Sequence, residues 1–147
     1  MKIRSYQNLD EEEIIQLWLE CGLIVPHNNP IKDIKRKLKV NPEWFLVGEL
    51  NAKIIASCMA GYEEHRGWIN YLAVSPPFQG NSYGKAIMKK AEELLTDAGC
   101  PKINLQIRAK NHKAIDFYKS IGFKIDDVIS MGKRIDPDET DRTNPTY

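Results

Sequence analysis

The chain has 147 residues, 42% of them hydrophobic, and its 21 lysines and arginines nearly balance 20 acidic residues. Such a length and apolar content predict one folded domain with its own core rather than a disordered chain. The net charge of +1 gives no reason to expect a nucleic-acid-binding protein, and no apolar run approaches the roughly 20 residues needed to span a membrane.

Two helices follow a first strand in the N-terminal part of the chain. Residues 2–6 read as the strand, and the apolar residues after it recur at helical spacing up to Gly22, which ends the first helix. A loop rich in turn-forming residues comes next. Asn29 is then a suitable cap and Pro30 a suitable first residue for a second helix.

Three strands occupy the middle of the chain. Residues 44–49 and 53–62 have the composition of two paired strands, and the dipeptide at 51–52 between them is typical of a tight turn. Residues 68–74 predict a third strand. This strand ends at a Ser-Pro-Pro turn, which leads into a glycine-bearing loop.

The last part of the chain predicts alternating helices and strands. Helical spacing of apolar residues indicates helices at 83–97 and 111–121, and period-two alternation indicates a strand at 102–107 between them. Residues 123–125 and 128–135 also read as strands. The whole order predicts an α/β domain with a mixed sheet of about six to seven strands and about four helices.

The composition also sets the expected domain limits and compartment. We expect a single domain at residues 1–135 and a flexible tail at 136–147, which is rich in Asp, Glu, Thr and Pro. The cysteines Cys21, Cys58 and Cys100 are widely spaced and predict neither a disulfide framework nor a metal site. With no signal-peptide pattern either, a cytoplasmic protein with reduced thiols is expected.

The segment from Phe78 to Met88 carries the strongest functional signal. It reads Phe-Gln-Gly-Asn-Ser-Tyr-Gly-Lys-Ala-Ile-Met and joins a predicted strand to the longest predicted helix. Backbone N–H groups in such a loop, together with the positive end of the helix dipole, bind phosphate-like anions. No Lys-Ser or Lys-Thr pair follows the loop, which argues against a Walker-type nucleotide site.

Three motifs follow one another along the second half of the chain. They are the strand at 71–74 running into Ser75-Pro76, the loop at 79–84, and Asn111-x-x-Ala114-x-x-x-Tyr118 followed by Gly122-Phe123. In this order they resemble the GNAT superfamily of acetyl-CoA-dependent N-acetyltransferases. The stretches at 61–62, 65–67 and 99–103 are similar to the YpeA-like acetyltransferases within it. The resemblance implies the GNAT fold, acetyl-CoA as cofactor and CoA as product.

The resemblance assigns the cofactor site to one strand, one loop and one helix cap. Main-chain groups of Leu72 and Val74 would bind the pantetheine arm, with the Leu72 N–H near the thioester oxygen, where one donor is often worth about 3 kcal/mol. Asn111 would cap its helix and touch the cofactor. The pyrophosphate would be held by the loop residues Gln79, Gly80, Asn81, Ser82, Tyr83, Gly84 and Lys85.

One loop residue departs from the family pattern Gln/Arg-x-x-Gly-x-Gly/Ala. Ser82 stands where the first glycine is expected. Its N–H still suits an anion site and its hydroxyl adds a donor, but serine tolerates a positive φ poorly. We therefore expect a strained loop and weaker cofactor binding if the loop needs a glycine conformation there.

The same resemblance assigns an acid and leaves the base open. Tyr118 matches the proton donor to the departing thiolate, although a core-facing tyrosine also suits this helix position. Trp68 and Gln106 stand where some family members carry a catalytic Glu. Glu64, in the charged turn at 63–67, is the candidate base, and the alternative is that this turn is only solvated.

Together these assignments predict transfer of an acetyl group to a primary amine, in a small molecule, at a peptide N-terminus or on a lysine. The alternative is a non-catalytic acyl-CoA-binding or regulatory domain of the same fold, which Ser82 and the missing base favour. We expect no nucleic acid, membrane or metal among the partners. A homodimer is left open.

Overall fold

The computed structural model describes residues 1–136, and in this range a five-stranded sheet is covered by four helices. The strands are β1 (Lys2–Ser5), β2 (Phe45–Leu50), β3 (Lys53–Tyr62), β4 (Gly67–Val74) and β5 (Ile103–Asn104). The helices are α1 (Glu11–Glu20), α2 (Pro30–Lys37), α3 (Tyr83–Asp97) and α4 (His112–Ser120). The strands lie in chain order, the first four antiparallel and β5 parallel to β4. The α/β fold class is therefore confirmed.

Local sequence signals explain several of these elements. The side chain of Asn29 accepts a hydrogen bond from the Lys32 N–H at 3.1 Å, and Pro30 takes the first position of α2, as predicted. The β2–β3 turn has φ values of 51° at Asn51 and 61° at Ala52. Two successive positive φ values are typical of a type I′ turn, whose twist matches that of the paired strands.

The sheet separates two apolar clusters, one on each face. The cluster beneath α1 and α2 includes the fully buried Trp18, Phe45 and Ile34. The cluster beneath α3 includes the fully buried Ile87 and Leu95, and side chains of α4 pack against its edge. Helices α1, α2 and α3 each bury side chains on one face, which agrees with the helical spacing in the sequence, whereas the inner side chains of α4 are only half-buried.

The prediction of six to seven strands is wrong for the described residues. The strand expected at 102–107 is reduced to β5, and the segments at 123–125 and 128–135 form no strand. The side chains of Ile129 and Met131 are 90% and 91% exposed. Period-two alternation favours an extended chain, but a strand also needs a partner ladder, and β5 pairs over only two residues.

Side-chain contacts, rather than a ladder, hold the segment after α4 in place. The Lys102 ammonium pairs with the Asp126 carboxylate, and the Gln106 amide donates to the Ser130 hydroxyl. Of the predicted tail, only Asp136 is described, and its carboxylate lies 3.3 Å from the Arg36 guanidinium. Residues 137–147, and with them most of the predicted tail, lie outside the described residues.

The described residues contain neither a candidate membrane-spanning helix nor a candidate metal cluster. No helix within residues 1–136 has the length and apolarity needed to cross a membrane. In the same range, no group of three or more His, Cys, Asp or Glu side chains is placed to hold a metal ion.

Candidate active site

A cleft opens where β4 and β5 separate. The two strands pair only at Gly67–Ile103 and Trp68–Asn104, so the remainder of β4 has no β5 neighbour. The cleft is open and large, about 2970 Å³ compared with roughly 300–1,000 Å³ for most ligand pockets, and it extends to the segment after α4. Its walls come from the α1–α2 side and from the α3–α4 side. The cleft therefore passes through the sheet.

A β-bulge interrupts β4 inside the cleft, and sequence reasoning missed it. Tyr71 has φ = 50°, a left-handed conformation that is rare for a bulky residue and often marks a functional site. The register with β3 shifts between Ser57 and Met59. Ile69 packs on the α3 face and Tyr71 on the α1 face, although strand alternation would place residues two apart on the same face. No residue type at 68–74 signals this change.

A buried relay of hydrogen bonds holds the bulge. The Tyr71 carbonyl accepts from the Ser57 hydroxyl at 2.8 Å, and Ser57 Oγ accepts from the Trp18 indole N–H at 2.9 Å. The Tyr71 and Trp18 rings also stack, with centroids 3.9 Å apart. Ser57 is fully buried, and its hydroxyl replaces the backbone donor that the bulge removes from the ladder. Tyr71 is thereby held in its strained conformation through both its carbonyl and its ring.

The backbone beyond the bulge turns its polar groups toward the cleft. The Ser75 N–H donates to the Ile55 carbonyl of β3 at 2.8 Å. Because backbone N–H and C=O groups alternate in direction along a strand, those of Val74 and Leu72 point away from β3. The Val74 carbonyl accepts from the Gln79 amide at 2.9 Å and from the Cys21 thiol at 3.3 Å. The predicted arm-binding groups thus face the cleft, and the Val74 carbonyl already has protein donors.

The predicted anion loop lies at the N-terminus of α3. Ser82 has φ = 64°, so serine does adopt the conformation that favours glycine. Its side chain makes no cap hydrogen bond. The helix ladder begins with the Ala86 N–H donating to the Ser82 carbonyl at 3.0 Å, so the N–H groups of Ser82, Tyr83, Gly84 and Lys85 precede it. These groups are available to an anion at the helix start.

The other loop residues organise the loop and connect it to α4. The Asn81 amide donates to the carbonyls of Phe78 and Gln79, and Gly80 has φ = 81°. The Gln79 side chain accepts from the Lys113 ammonium at 2.6 Å. Asn111 caps α4 by accepting from the Ala114 N–H at 3.1 Å, as predicted. The start of α4 is therefore tied to the loop.

Gly84 permits close contact between α3 and α4. A Cβ at this position would lie 3.2 Å from Phe117 Cζ and 3.5 Å from Val74 Cγ2. The interhelix contact, and not only the approach of a phosphate, therefore accounts for glycine here. A larger residue at this position would push first on the Phe117 ring.

Tyr118 lies on α4, half-buried, and lines the cleft. Its ring meets those of Phe117 and Phe123 edge-on, at centroid distances of 5.2 and 5.4 Å. Burial raises the pKa of Tyr118 above its ordinary value, and the charge of a Cys58 thiolate would act in the same direction. Its hydroxyl therefore stays protonated at neutral pH, as a proton donor must.

The structure does not bring Glu64 together with Tyr118. Glu64 is exposed in the β3–β4 turn with φ = 73°, and its carbonyl accepts from the Tyr62 hydroxyl at 3.3 Å. This turn precedes β4, whereas the anion loop follows the end of β4. The residues that line the cleft do not include Glu64. Its role as base stays a prediction without geometric support.

The site geometry, with an anion loop, a split strand pair and a tyrosine in one cleft, agrees with the comparisons with known proteins. Residues 5–123 match the model of the acetyltransferase (GNAT) family. The chain belongs to this family. An acetyltransferase of Yersinia enterocolitica is 42% identical over 139 residues, which are 95% of this chain and 99% of the relative. An acetyltransferase of Pectobacterium atrosepticum is 42% identical over 135 residues, which are 92% and 96% of the two chains.

A solved structure shows the same GNAT fold. Naa20 of Chaetomium thermophilum, in complex with a bisubstrate analogue, has a TM-score of 0.67 and 22% identity over 83% of this chain and 70% of its own. At this identity the likeness concerns the fold alone. The finer resemblance to YpeA-like enzymes stays a prediction.

Proposed function

We propose that this GNAT-family acetyltransferase uses acetyl-CoA to acetylate a primary amine by direct transfer. The observation that carries the proposal is that the anion loop, the free part of β4 and Tyr118 all line one cleft. GNAT enzymes use acetyl-CoA, and this arrangement suits the pyrophosphate, the pantetheine arm and the thioester of that molecule. The acceptor would be a small molecule, a peptide N-terminus or a lysine.

The residues present suit the cofactor in three places. The N–H groups of Ser82 to Lys85, at the positive end of α3, suit the pyrophosphate. The Leu72 backbone N–H, which points away from β3, suits the thioester oxygen. The Val74 N–H suits the pantetheine arm, because the Val74 carbonyl already accepts from Gln79 and Cys21. Bound acetyl-CoA supplies the activated acetyl group.

The proposed chemistry needs one proton donor and an uncharged amine. The amine nitrogen forms a bond to the acetyl carbon, the carbon–sulfur bond breaks, and the thiolate takes the Tyr118 proton. A charged amine first releases one proton to solvent, the nitrogen releases a second after its bond to the acetyl carbon forms, and Tyr118 regains one proton from solvent. The products are the acetylated amine and CoA with its thiol. No described carboxylate is assigned as the base.

Calorimetric titration with acetyl-CoA, with ATP as the comparator, tests the cofactor. Micromolar binding of acetyl-CoA without an ATP response is expected, because the cleft suits an acyl-pantetheine arm as well as a phosphate. Release of CoA on adding primary amines then tests transfer. Binding without any release would favour the alternative, a non-catalytic acyl-CoA-binding domain.

Replacing Tyr118 by Phe tests the proton donor. We expect Tyr118→Phe to lower kcat by about 100-fold, within the range for loss of one general acid, with acetyl-CoA affinity within about twofold of wild type. Because burial raises the pKa of Tyr118, the wild-type kcat should not decline near pH 10 as an ordinary phenol would require. Steady-state rates from pH 7 to 10.5 give both results. An unchanged kcat would reassign Tyr118 to packing.

A further inference from the structure

We propose that the Asp33 carboxylate, positioned by Tyr71, is the site that receives the acceptor's positively charged amine. This inference rests on the proposed acetyltransferase reaction and names the acceptor class, an alkylammonium compound. Asp33 lies on α2 and lines the cleft on the α1–α2 side. Tyr118 lies on the opposite side, where α3 and α4 pack.

The bulge in β4 is what brings Tyr71 to Asp33. Without the extra residue, the Tyr71 side chain would lie on the same face as Ile69, against α3. Instead its hydroxyl donates to Asp33 Oδ2 at 2.5 Å, on the α1–α2 side. The ring is fixed by stacking on Trp18, and the Tyr71 carbonyl by Ser57. A strained backbone conformation therefore serves to place one hydroxyl beside one carboxylate.

The Asp33 carboxylate is oriented and remains open to the cleft. The Arg36 guanidinium lies 3.2 Å from Asp33 Oδ1, while the Tyr71 hydroxyl binds Oδ2, so each oxygen has one fixed donor. An ionised carboxylate accepts about four hydrogen bonds, so it has capacity for an ammonium group as well. The Asp33 side chain is 25% exposed, which gives a ligand access without full solvation.

The position relative to the reaction point suits an incoming amine. Tyr71 is adjacent to Leu72, whose N–H is the proposed donor to the thioester oxygen. Asp33 is therefore separated from the β4 backbone by the length of the Tyr71 side chain. It lies on the α1–α2 face of the sheet, opposite the proposed proton donor Tyr118. An ammonium group that enters between α2 and β4 is first held at this carboxylate, then releases a proton to solvent and moves as the uncharged amine to the thioester.

The test compares amines that differ in charge. The wild type is first assayed for CoA release with a panel of an alkylamine, an amino-acid amide, a lysine-containing peptide and an arylamine, the last uncharged at neutral pH. With the best alkylamine, Asp33→Asn should raise KM by about 10- to 100-fold, the usual loss for a hydrogen bond to a charged group. KM for the arylamine and the affinity for acetyl-CoA should change less than twofold.

Two further variants separate recognition from folding. Tyr71→Phe keeps the ring on Trp18 and removes only the hydroxyl, so KM for the alkylamine should rise about three- to tenfold while kcat is kept. Asp97→Asn is the matched control, because Asp97 is an exposed acid at the end of α3 and does not line the cleft. It should leave KM and kcat for the alkylamine unchanged.

The outcomes distinguish this inference from the proposed function. Alkylamine acetylation with the same KM in Asp33→Asn and wild type would overturn the Asp33 assignment and leave the acetyltransferase proposal intact. An equal rise of KM for alkylamine and arylamine would also overturn it, because the loss would then not depend on charge. A wild type that binds acetyl-CoA but acetylates no amine would overturn both.

Discussion

Ser82 shows how a single side chain can oppose the backbone conformation that its position requires. The loop keeps a left-handed φ of 64° at this residue, although serine has a Cβ that disfavours it. The hydroxyl makes no cap hydrogen bond, so within the structure it gives no local compensation. The loop geometry is therefore kept by its surroundings, such as the Asn81 amide bonds and the link from Gln79 to Lys113.

Ser82→Gly should stabilise the protein. A left-handed conformation costs an L-residue roughly 1–2 kcal/mol, and the extra freedom of glycine in the unfolded chain costs about 0.5–1 kcal/mol, so a net gain of about 0.5–1 kcal/mol is expected. Urea unfolding measures it. Ser82→Ala, which keeps the Cβ and removes the hydroxyl, should show no gain and reports on any hydroxyl contact with acetyl-CoA. A loss of stability in Ser82→Gly would contradict the strain argument.

The contact between α3 and α4 links the loop at the start of α3 to Tyr118, the proposed proton donor. Gly84 of α3 faces the Phe117 ring of α4, and Tyr118 is the next residue along α4. A change at the first turn of α3 can therefore shift the Tyr118 hydroxyl through the Phe117 ring. The sequence pattern identifies both glycine and tyrosine but does not show that they are mechanically connected.

Gly84→Ala should affect catalysis more than cofactor binding. The new Cβ would lie 3.2 Å from Phe117 Cζ, so the ring must shift, and overpacking of this kind typically costs about 1–3 kcal/mol of stability. We expect kcat to fall several-fold, with a smaller change in acetyl-CoA affinity. Phe117→Leu in the same chain should restore part of both losses. Strictly additive effects in the double mutant would show that the two positions are not coupled.

At the scale of the whole molecule, most of the fold was predictable because it follows from local periodicity. Helices α1, α2 and α3 bury side chains at helical spacing, β2 and β3 are short runs of apolar residues buried on both faces, and α3 runs over the predicted residues 83–97. The absence of strands at 123–135 was not predictable from the sequence. A strand there would have to pair with β5, and β5 is only two residues long. The Tyr71 bulge and the Tyr71–Asp33 contact join residues 38 positions apart and have no signature in sequence spacing.

The buried core also sets how stability depends on pH. Burial raises the pKa of the Cys58 thiol from 9.0 to about 12. Between these values the unfolded chain releases this proton and the folded chain keeps it, so stability falls by up to about 1.4 kcal/mol per pH unit for this group. The protonated Cys58 thiol thus makes its full contribution to the free energy of unfolding below pH 9, and this contribution is lost as the pH rises toward 12.

Cys58→Ala should therefore be closer to wild type in stability at pH 10 than at pH 7.5, by on the order of 1 kcal/mol. Unfolding in urea at the two pH values measures the difference. Ile55→Val removes a methyl group from the same buried strand without removing a titratable group, so its loss should be the same at both pH values. Equal differences for both variants would contradict the raised pKa.

The cleft that passes through the sheet has a kinetic consequence. In the proposed reaction, acetyl-CoA binds the loop on the α3–α4 side and the amine binds Asp33 on the α1–α2 side, so the two substrates would approach β4 from opposite faces. Neither substrate would need to leave before the other enters, so we expect a ternary complex and intersecting double-reciprocal plots. We likewise expect CoA and the acetylated product to leave from opposite faces of the sheet, so that neither product blocks the entry of both substrates.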